Sequence, residues 1–135
     1  MDIKKTANLL LNFAIKRLAE IFGLFIFLSG TLLLIALITY SPEDPNFIFP
    51  ENTEIKNLLG FQGSFISDLF FQSVGLVSIL ISLSFLITGI HIVRKKQIVI
   101  ILQNTFFVIT YSILASLFLN FYHRESFWLV INGNG

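Results

Sequence analysis

The chain has 135 residues, of which 55% are hydrophobic and 13% charged, and its mean hydropathy is +0.82. An average soluble domain carries about 25% charged residues, so this composition excludes soluble enzymes, disordered tails and nucleic-acid-binding domains. The charges are also clustered, which leaves three uncharged stretches, each longer than the roughly 20 apolar residues that cross a bilayer. These stretches lie between Glu20 and Glu43, between Asp68 and Arg94, and between Lys96 and Arg124.

Residues 1–20 are predicted to form a basic amphipathic helix. Its apolar face comprises Ile3, Ala7, Leu10, Leu11, Ala14 and Leu18, and its polar face comprises Lys5, Asn8, Asn12 and Lys16. Such a helix can lie on the cytoplasmic membrane surface. Alternatively, it extends the first span as a water-exposed stem, and the pattern does not separate the two.

The first transmembrane helix is predicted at 21–40, an apolar run too long for the core of a cleavable signal peptide. Pro42 and Pro45 then stop the helix, because proline lacks an N–H and restricts the residue before it. Residues 41–68 form a periplasmic loop, in which Ser64 is a candidate N-cap for the following helix.

The second transmembrane helix is predicted at 69–93, followed by a basic cytoplasmic turn at 94–97. Its small residues share one face, which favours close helix packing within the chain over a specific dimer face. They are Gly75, Ser78, Ser82 and Gly89. The third transmembrane helix is predicted at 98–121, where Asn104 favours an interhelical hydrogen bond.

A periplasmic tail at 122–135 completes the predicted organisation, with Trp128 suited to a membrane interface. The sequence therefore predicts an all-α integral membrane helical bundle with three transmembrane helices. Most Lys and Arg residues fall on the side that holds the N-terminus and the 94–97 turn, and positive charge marks the cytoplasmic side. We therefore expect a multi-pass membrane protein with a cytoplasmic N-terminus.

No catalytic, cofactor-binding or metal-binding residue is predicted, and the chain is not expected to be an enzyme. It has no cysteine, and its two histidines, His91 and His123, lie far apart in the sequence, whereas zinc needs three or four convergent ligands. The carboxylates of the 41–68 loop could form a cation site, but a solvated surface is the favoured interpretation. Those carboxylates are Glu43, Asp44, Glu51 and Glu54.

Two stretches around the predicted periplasmic loop resemble a known family. They are Tyr40-Ser41-Pro42-Glu43-Asp44-Pro45, and Asn57-Leu58-Leu59-Gly60-Phe61-Gln62-Gly63-Ser64 followed by Ser67-Asp68-Leu69-Phe70-Phe71. In this order, between spans of this length, they resemble the N-terminal four-span membrane region of the FtsK/SpoIIIE family of bacterial DNA translocases.

The resemblance implies a non-catalytic anchor in the bacterial inner membrane that brings a translocase to the division septum in cell division and chromosome segregation. The implied partners are the lipid bilayer, further copies of the chain and other divisome membrane proteins, with no nucleic acid and no small-molecule substrate. The family has four spans and this chain three, so truncation before a fourth span is the accompanying hypothesis.

Two other readings remain open from the residues. One is a small stand-alone membrane protein, such as a transporter subunit or a holin-like pore former, which would make the loop motifs a coincidence. The other is a buried helical hairpin subunit of a respiratory or secretion complex, since stripes of small residues suit any partner helix.

Overall fold

The computed structural model describes residues 3–45 and 54–122, which form four helices and no strand. The helices are α1 (Ile3–Ile38), α2 (Gly60–Val74), α3 (Val77–Lys95) and α4 (Val99–Tyr122). Three of them, α1, α3 and the Val99–Leu119 part of α4, are long and apolar enough to cross a membrane. The prediction of an all-α membrane bundle with three such helices is confirmed.

α1 continues without interruption from the basic segment into the first apolar span. No helix boundary separates the predicted segments 1–20 and 21–40, which favours the alternative in which the basic segment extends the span. At about 1.5 Å per residue, the 36 residues of α1 make a helix roughly 54 Å long, well beyond a bilayer core of about 30 Å. Pro42 and Pro45 follow the end of α1, as their missing N–H groups require.

The predicted second span, 69–93, is divided between two helices. α2 begins within the predicted loop and ends at Val74, and α3 begins at Val77. Between them, Gly75 adopts a φ of 62°, in the left-handed region that favours glycine. Its N–H donates to the carbonyl oxygen of Phe71 at 2.9 Å. With 15 residues α2 is shorter than a spanning helix, so α3 takes the role of the second span.

The most extensive interhelical contact joins α1 to α3, and glycines make it close. A Cβ built on Gly89 would lie 2.6 Å from the backbone nitrogen of Phe27, and one on Gly23 would lie 2.9 Å from that of Val93. Neither position has room for a side chain, so glycine allows the two backbones to approach.

The predicted stripe of small residues is a packing face along α3. Ser78 and Ser82 are fully buried, and Gly89 is also buried. The prediction that Gly75 belongs to the same stripe is wrong, because Gly75 forms the break between α2 and α3.

Polar side chains join α4 to α3. The Nδ2 of Asn104 donates to the Oγ1 of Thr88 at 2.9 Å, which confirms the interhelical hydrogen bond predicted for Asn104. The hydroxyl of Tyr111 donates to the carbonyl oxygen of Leu80 at 3.1 Å. The helices are connected by a tight turn in which Lys96 adopts the left-handed conformation, with a φ of 54°.

Large apolar side chains cover the outside of the bundle. On α4, Leu102, Phe106 and Phe121 are 77%, 68% and 88% exposed. Much of the interior is made of small side chains, so the molecule has the distribution expected when lipid surrounds the helices.

Candidate functional site

The helices define two ends of the bundle, named here from their residues. The loop end is where α1 stops and α2 begins, with residues 39–45 and 54–59 beside them. The basic end is where Arg17 of α1 lies beside the α3–α4 turn with Lys96. The polar contacts outside the spanning helices are concentrated at these two ends.

Asn57 is the centre of the loop end, where it is only 4% exposed. Its Nδ2 donates to the carbonyl oxygen of Ala36 at 2.9 Å, in the last turns of α1. Its Oδ1 accepts from the backbone N–H of Leu59 at 3.0 Å, and its carbonyl oxygen accepts from the N–H of Gly60 at 2.9 Å. One side chain therefore joins the end of α1 to the start of α2.

Asp44 holds the other side of Asn57. Its two carboxylate oxygens accept backbone N–H groups, from Lys56 at 2.8 Å and from Asn57 at 2.9 Å. The side chain is buried, and these bonds supply the partners that a buried carboxylate requires. We call the arrangement of Asp44, Asn57, Gly63 and Ser64 the loop clasp.

Gly63 and Ser64 complete the loop clasp from α2. A Cβ on Gly63 would clash with the Oδ1 of Asn57, so the Asn57 side chain can pack this closely against α2 only because residue 63 is a glycine. The hydroxyl of Ser64 donates to the carbonyl oxygen of Pro45 at 3.2 Å. The prediction that Ser64 caps the helix is wrong, because α2 already begins at Gly60 and Ser64 lies inside it.

A second contact fastens α2 beside the loop clasp. The Tyr40 hydroxyl donates to Oδ1 of Asp68 at 3.1 Å, and the Tyr40 ring lies against that of Phe71, with 4.8 Å between centroids. The Nε2 of Gln72 donates to the other oxygen of Asp68 at 2.7 Å. Tyr40, two residues beyond the end of α1, is thus held against the C-terminal half of α2.

The carboxylates weighed as a cation site are used differently. Glu43 forms an ion pair with Lys56, which lowers the pKa of the Glu43 carboxyl and raises that of the lysine. Asp44 binds backbone N–H groups. Among the described residues, no three His, Cys, Asp or Glu side chains come together in a way that could hold a metal. Glu51 and His123 lie outside the described residues, as does the predicted tail with Trp128.

At the basic end, Glu20 joins α1 to the turn between α3 and α4. Its carboxylate accepts from the Nη1 of Arg17 at 2.6 Å and from the Nζ of Lys96 at 2.7 Å. The Arg17 guanidinium also lies 5.1 Å from the ring centroid of Phe13. Both ends of the bundle are therefore closed by side-chain contacts between α1 and the rest of the chain.

The comparisons with known proteins agree with this architecture. A family model described as the 4TM region of DNA translocase FtsK/SpoIIIE matches residues 15–135. The chain belongs to this family. It is also 27% identical, over its whole length, to the DNA translocase FtsK of Rhizobium meliloti (strain 1021), and it spans 15% of the length of that curated relative. No solved structure matches the chain.

Family membership confirms the resemblance that the loop motifs carried, and the structure shows what those residues do. The quoted residues Asp44, Asn57, Gly63 and Ser64 are the loop clasp itself. The bond from Asn57 to Ala36 was not foreseen, although an asparagine just ahead of a helix start is a recognised turn signal. In this FtsK/SpoIIIE membrane region, the motifs therefore set backbone geometry at the loop end.

Proposed function

We propose that this chain is the membrane anchor of an FtsK-like DNA translocase, acting at the division septum in cell division and chromosome segregation. The observation that carries the proposal is the match of residues 15–135 to the 4TM region of DNA translocase FtsK/SpoIIIE. The three apolar helices that could cross a membrane support it. The loop clasp and the Glu20 contacts fit an anchor, because they hold α1 to α2 at the loop end and to the α3–α4 turn at the basic end.

The anchor itself performs no catalysis in this proposal. The 135 residues contain no G-x-x-x-x-G-K-[ST] phosphate-binding motif. The polar groups at both ends of the bundle are engaged in contacts that hold backbone and helices in place. ATP hydrolysis and DNA movement belong to other parts of the translocase.

The proposed orientation puts the basic end in the bacterial cytoplasm and the loop end outside the inner membrane. Seven Lys and Arg residues precede the first span or lie in and beside the α3–α4 turn, and Lys56 lies at the loop end. A reporter that is active only outside the cytoplasm should be active when fused after Lys56 and silent when fused after Lys96. The reverse pattern would overturn the orientation.

The septal role is tested with a fluorescent protein fused to the N-terminus of the chain in dividing bacteria. Accumulation at mid-cell is expected, because targeting resides in the membrane region under this proposal. The control is the same fluorescent protein on an unrelated three-span membrane protein. A uniform membrane signal from both fusions would contradict the septal role and favour a small stand-alone membrane protein.

The proposed partners are further copies of the chain and other divisome membrane proteins. The exposed apolar side chains of α4, such as Leu102 and Phe106, offer surface for such contacts. Because the chain has no cysteine, single substitutions such as Leu102→Cys report proximity between copies by disulfide formation in membranes. We expect crosslinked dimers from one or more exposed α4 positions and none from Ser82→Cys, which is buried within the bundle. Failure at every exposed α4 position would contradict self-association through this helix.

A further inference from the structure

A groove between α1 and α3 opens on the outside of the bundle near the basic end. Its volume is about 210 Å³, and its walls are Leu24 and Phe27 of α1 and Ile90 and Val93 of α3. Gly89 lies at its floor, where the backbones of α1 and α3 approach each other closely. The groove is therefore a small apolar slot on the surface where α1 and α3 meet.

The helices of the chain leave this slot open. α4 packs on the other side of the α1–α3 pair, where Asn104 and Val108 lie near Ile26 and Phe85. Within residues 3–45 and 54–122, no α4 side chain lines the slot. In a membrane the slot faces lipid, so an acyl chain can enter it from the side.

The charge at the mouth of the slot distinguishes it from the other large groove. Arg94 lines its end, is exposed, and makes no ion pair within the described part of the chain. The larger groove, about 440 Å³ between α1 and α2, has no charged residue among its lining. The slot thus combines apolar walls with one exposed guanidinium group, that of Arg94, at its mouth.

Further cations lie at the same end of the bundle as Arg94. Lys95 is next to Arg94 in the chain, Lys16 lies on the same end of α1, and both side chains are exposed. The carboxylate of Glu20 already pairs with Arg17 and Lys96. Among the described residues at this end of the bundle, Glu20 is thus one carboxylate beside five cations, counting Arg94. Guanidinium groups match phosphate geometry, and basic pockets between transmembrane helices bind anionic headgroups.

We propose that the slot binds an anionic phospholipid, with part of an acyl chain lying in the surface groove along α1 and α3 and the headgroup phosphate beside Arg94. The proposal goes beyond membrane anchoring, because it assigns a lipid class to one site. It requires only that the chain spans a membrane. Selectivity arises because a zwitterionic lipid can fill the apolar channel equally well and gains less from the surrounding positive charge.

The test uses the full chain purified in a neutral detergent and titrated with dioleoylphosphatidylglycerol or dioleoylphosphatidylcholine. Bound lipid is counted by native mass spectrometry, and affinity is taken from the titration. We expect one retained phosphatidylglycerol and weaker phosphatidylcholine binding. Arg94→Gln should weaken phosphatidylglycerol binding about fivefold, the effect of removing one cation near an anionic headgroup. Lys5→Gln, which removes a charge far along α1 from the slot, is the matched control and should leave binding unchanged.

Two further arms separate the slot from general charge attraction. Ile90→Phe leaves Arg94 intact and should fill the slot, which weakens binding of both lipids. Arg94→Lys keeps the positive charge and should retain most of the selectivity, and it replaces Arg94→Gln in the test if that variant does not fold. Equal loss in Arg94→Gln and Lys5→Gln would overturn the proposal. So would equal affinity for the two lipids, or full competition by inorganic phosphate at millimolar concentration, which would indicate a site for free anions.

Discussion

The side-chain amide of Asn57 donates a 2.9 Å hydrogen bond to the carbonyl oxygen of Ala36, which lies 21 residues earlier in the chain. Both groups are buried, and the carbonyl belongs to one of the last turns of α1, next to the helix end where carbonyl oxygens lack a helical partner. The bond therefore satisfies a polar group at the end of a spanning helix and fixes where the loop returns to the bundle.

Replacing Asn57 should destabilise the loop end. Asn57→Ala removes the donor to Ala36 and the acceptor for Leu59, and leaving buried groups unpaired costs about 1–3 kcal/mol. Thermal unfolding of the purified chain in detergent, followed by circular dichroism, measures the loss. Asn12→Ala, at an exposed position of α1, is the control and should leave the free energy of unfolding nearly unchanged. A control that loses as much as Asn57→Ala would contradict the assigned role.

The two glycines of α2 should respond differently to the same substitution. Gly63→Ala places a Cβ against Asn57, and overpacking of this kind costs about 1–3 kcal/mol. Gly60→Ala meets no neighbouring atom and suffers only from its φ of 67°, for a cost of about 1 kcal/mol. Gly60→Asn should cost least, since asparagine tolerates that conformation. Measured unfolding free energies that reverse this order would show that Gly63 is not tightly enclosed.

The hydrogen bond between Asn104 and Thr88 should couple α3 to α4 weakly. A double-mutant cycle with Asn104→Leu and Thr88→Val measures the coupling, and we expect about 0.6 kcal/mol, with an upper bound of about 1.7. The control cycle pairs Thr88→Val with Thr110→Val, because the Thr110 hydroxyl bonds within its own helix. The control pair should be additive. Coupling in the control as large as in the test pair would mean that the cycle reports general loosening of α4.

The ion pair between Glu43 and Lys56 should make the loop end sensitive to acid. The pKa of Glu43 lies below its ordinary value of 4.5 in the folded chain, so the pair stabilises the fold at pH above 4.5 and loses its effect as the pH falls through the lower folded value. The melting temperature of the native chain should therefore exceed that of Glu43→Gln by a small margin at neutral pH. The difference should close under acid conditions.

The matched control for this effect is Glu54→Gln, an exposed carboxylate that forms no ion pair in the described part of the chain. The difference in melting temperature between the native chain and Glu54→Gln should be the same at neutral and acid pH. If the melting temperature of Glu43→Gln differs from that of the native chain by the same amount at every pH, the substitution acts through packing and the ion pair contributes nothing.

Sequence reasoning recovered the elements whose cause is local. Long uncharged stretches predicted the three spanning helices, and Asn104 was correctly expected to bond between helices, because a polar amide in an apolar helix needs a partner. The division at Gly75 was missed, since a glycine within an apolar run reads equally well as a packing residue. Ser64 was misassigned for a related reason, because a serine near a helix start can also bond elsewhere.

By itself, the sequence determined the membrane character of the chain, its helical class and its family. These depend on composition, on the length of apolar runs and on short motifs, all of which are local in the chain. Only the tertiary structure decided that Asn57 reaches Ala36, that Gly89 faces Phe27, and that an apolar slot ends at Arg94. Those relationships join distant positions, and they depend on how antiparallel helices pack, which spacing along one chain does not specify.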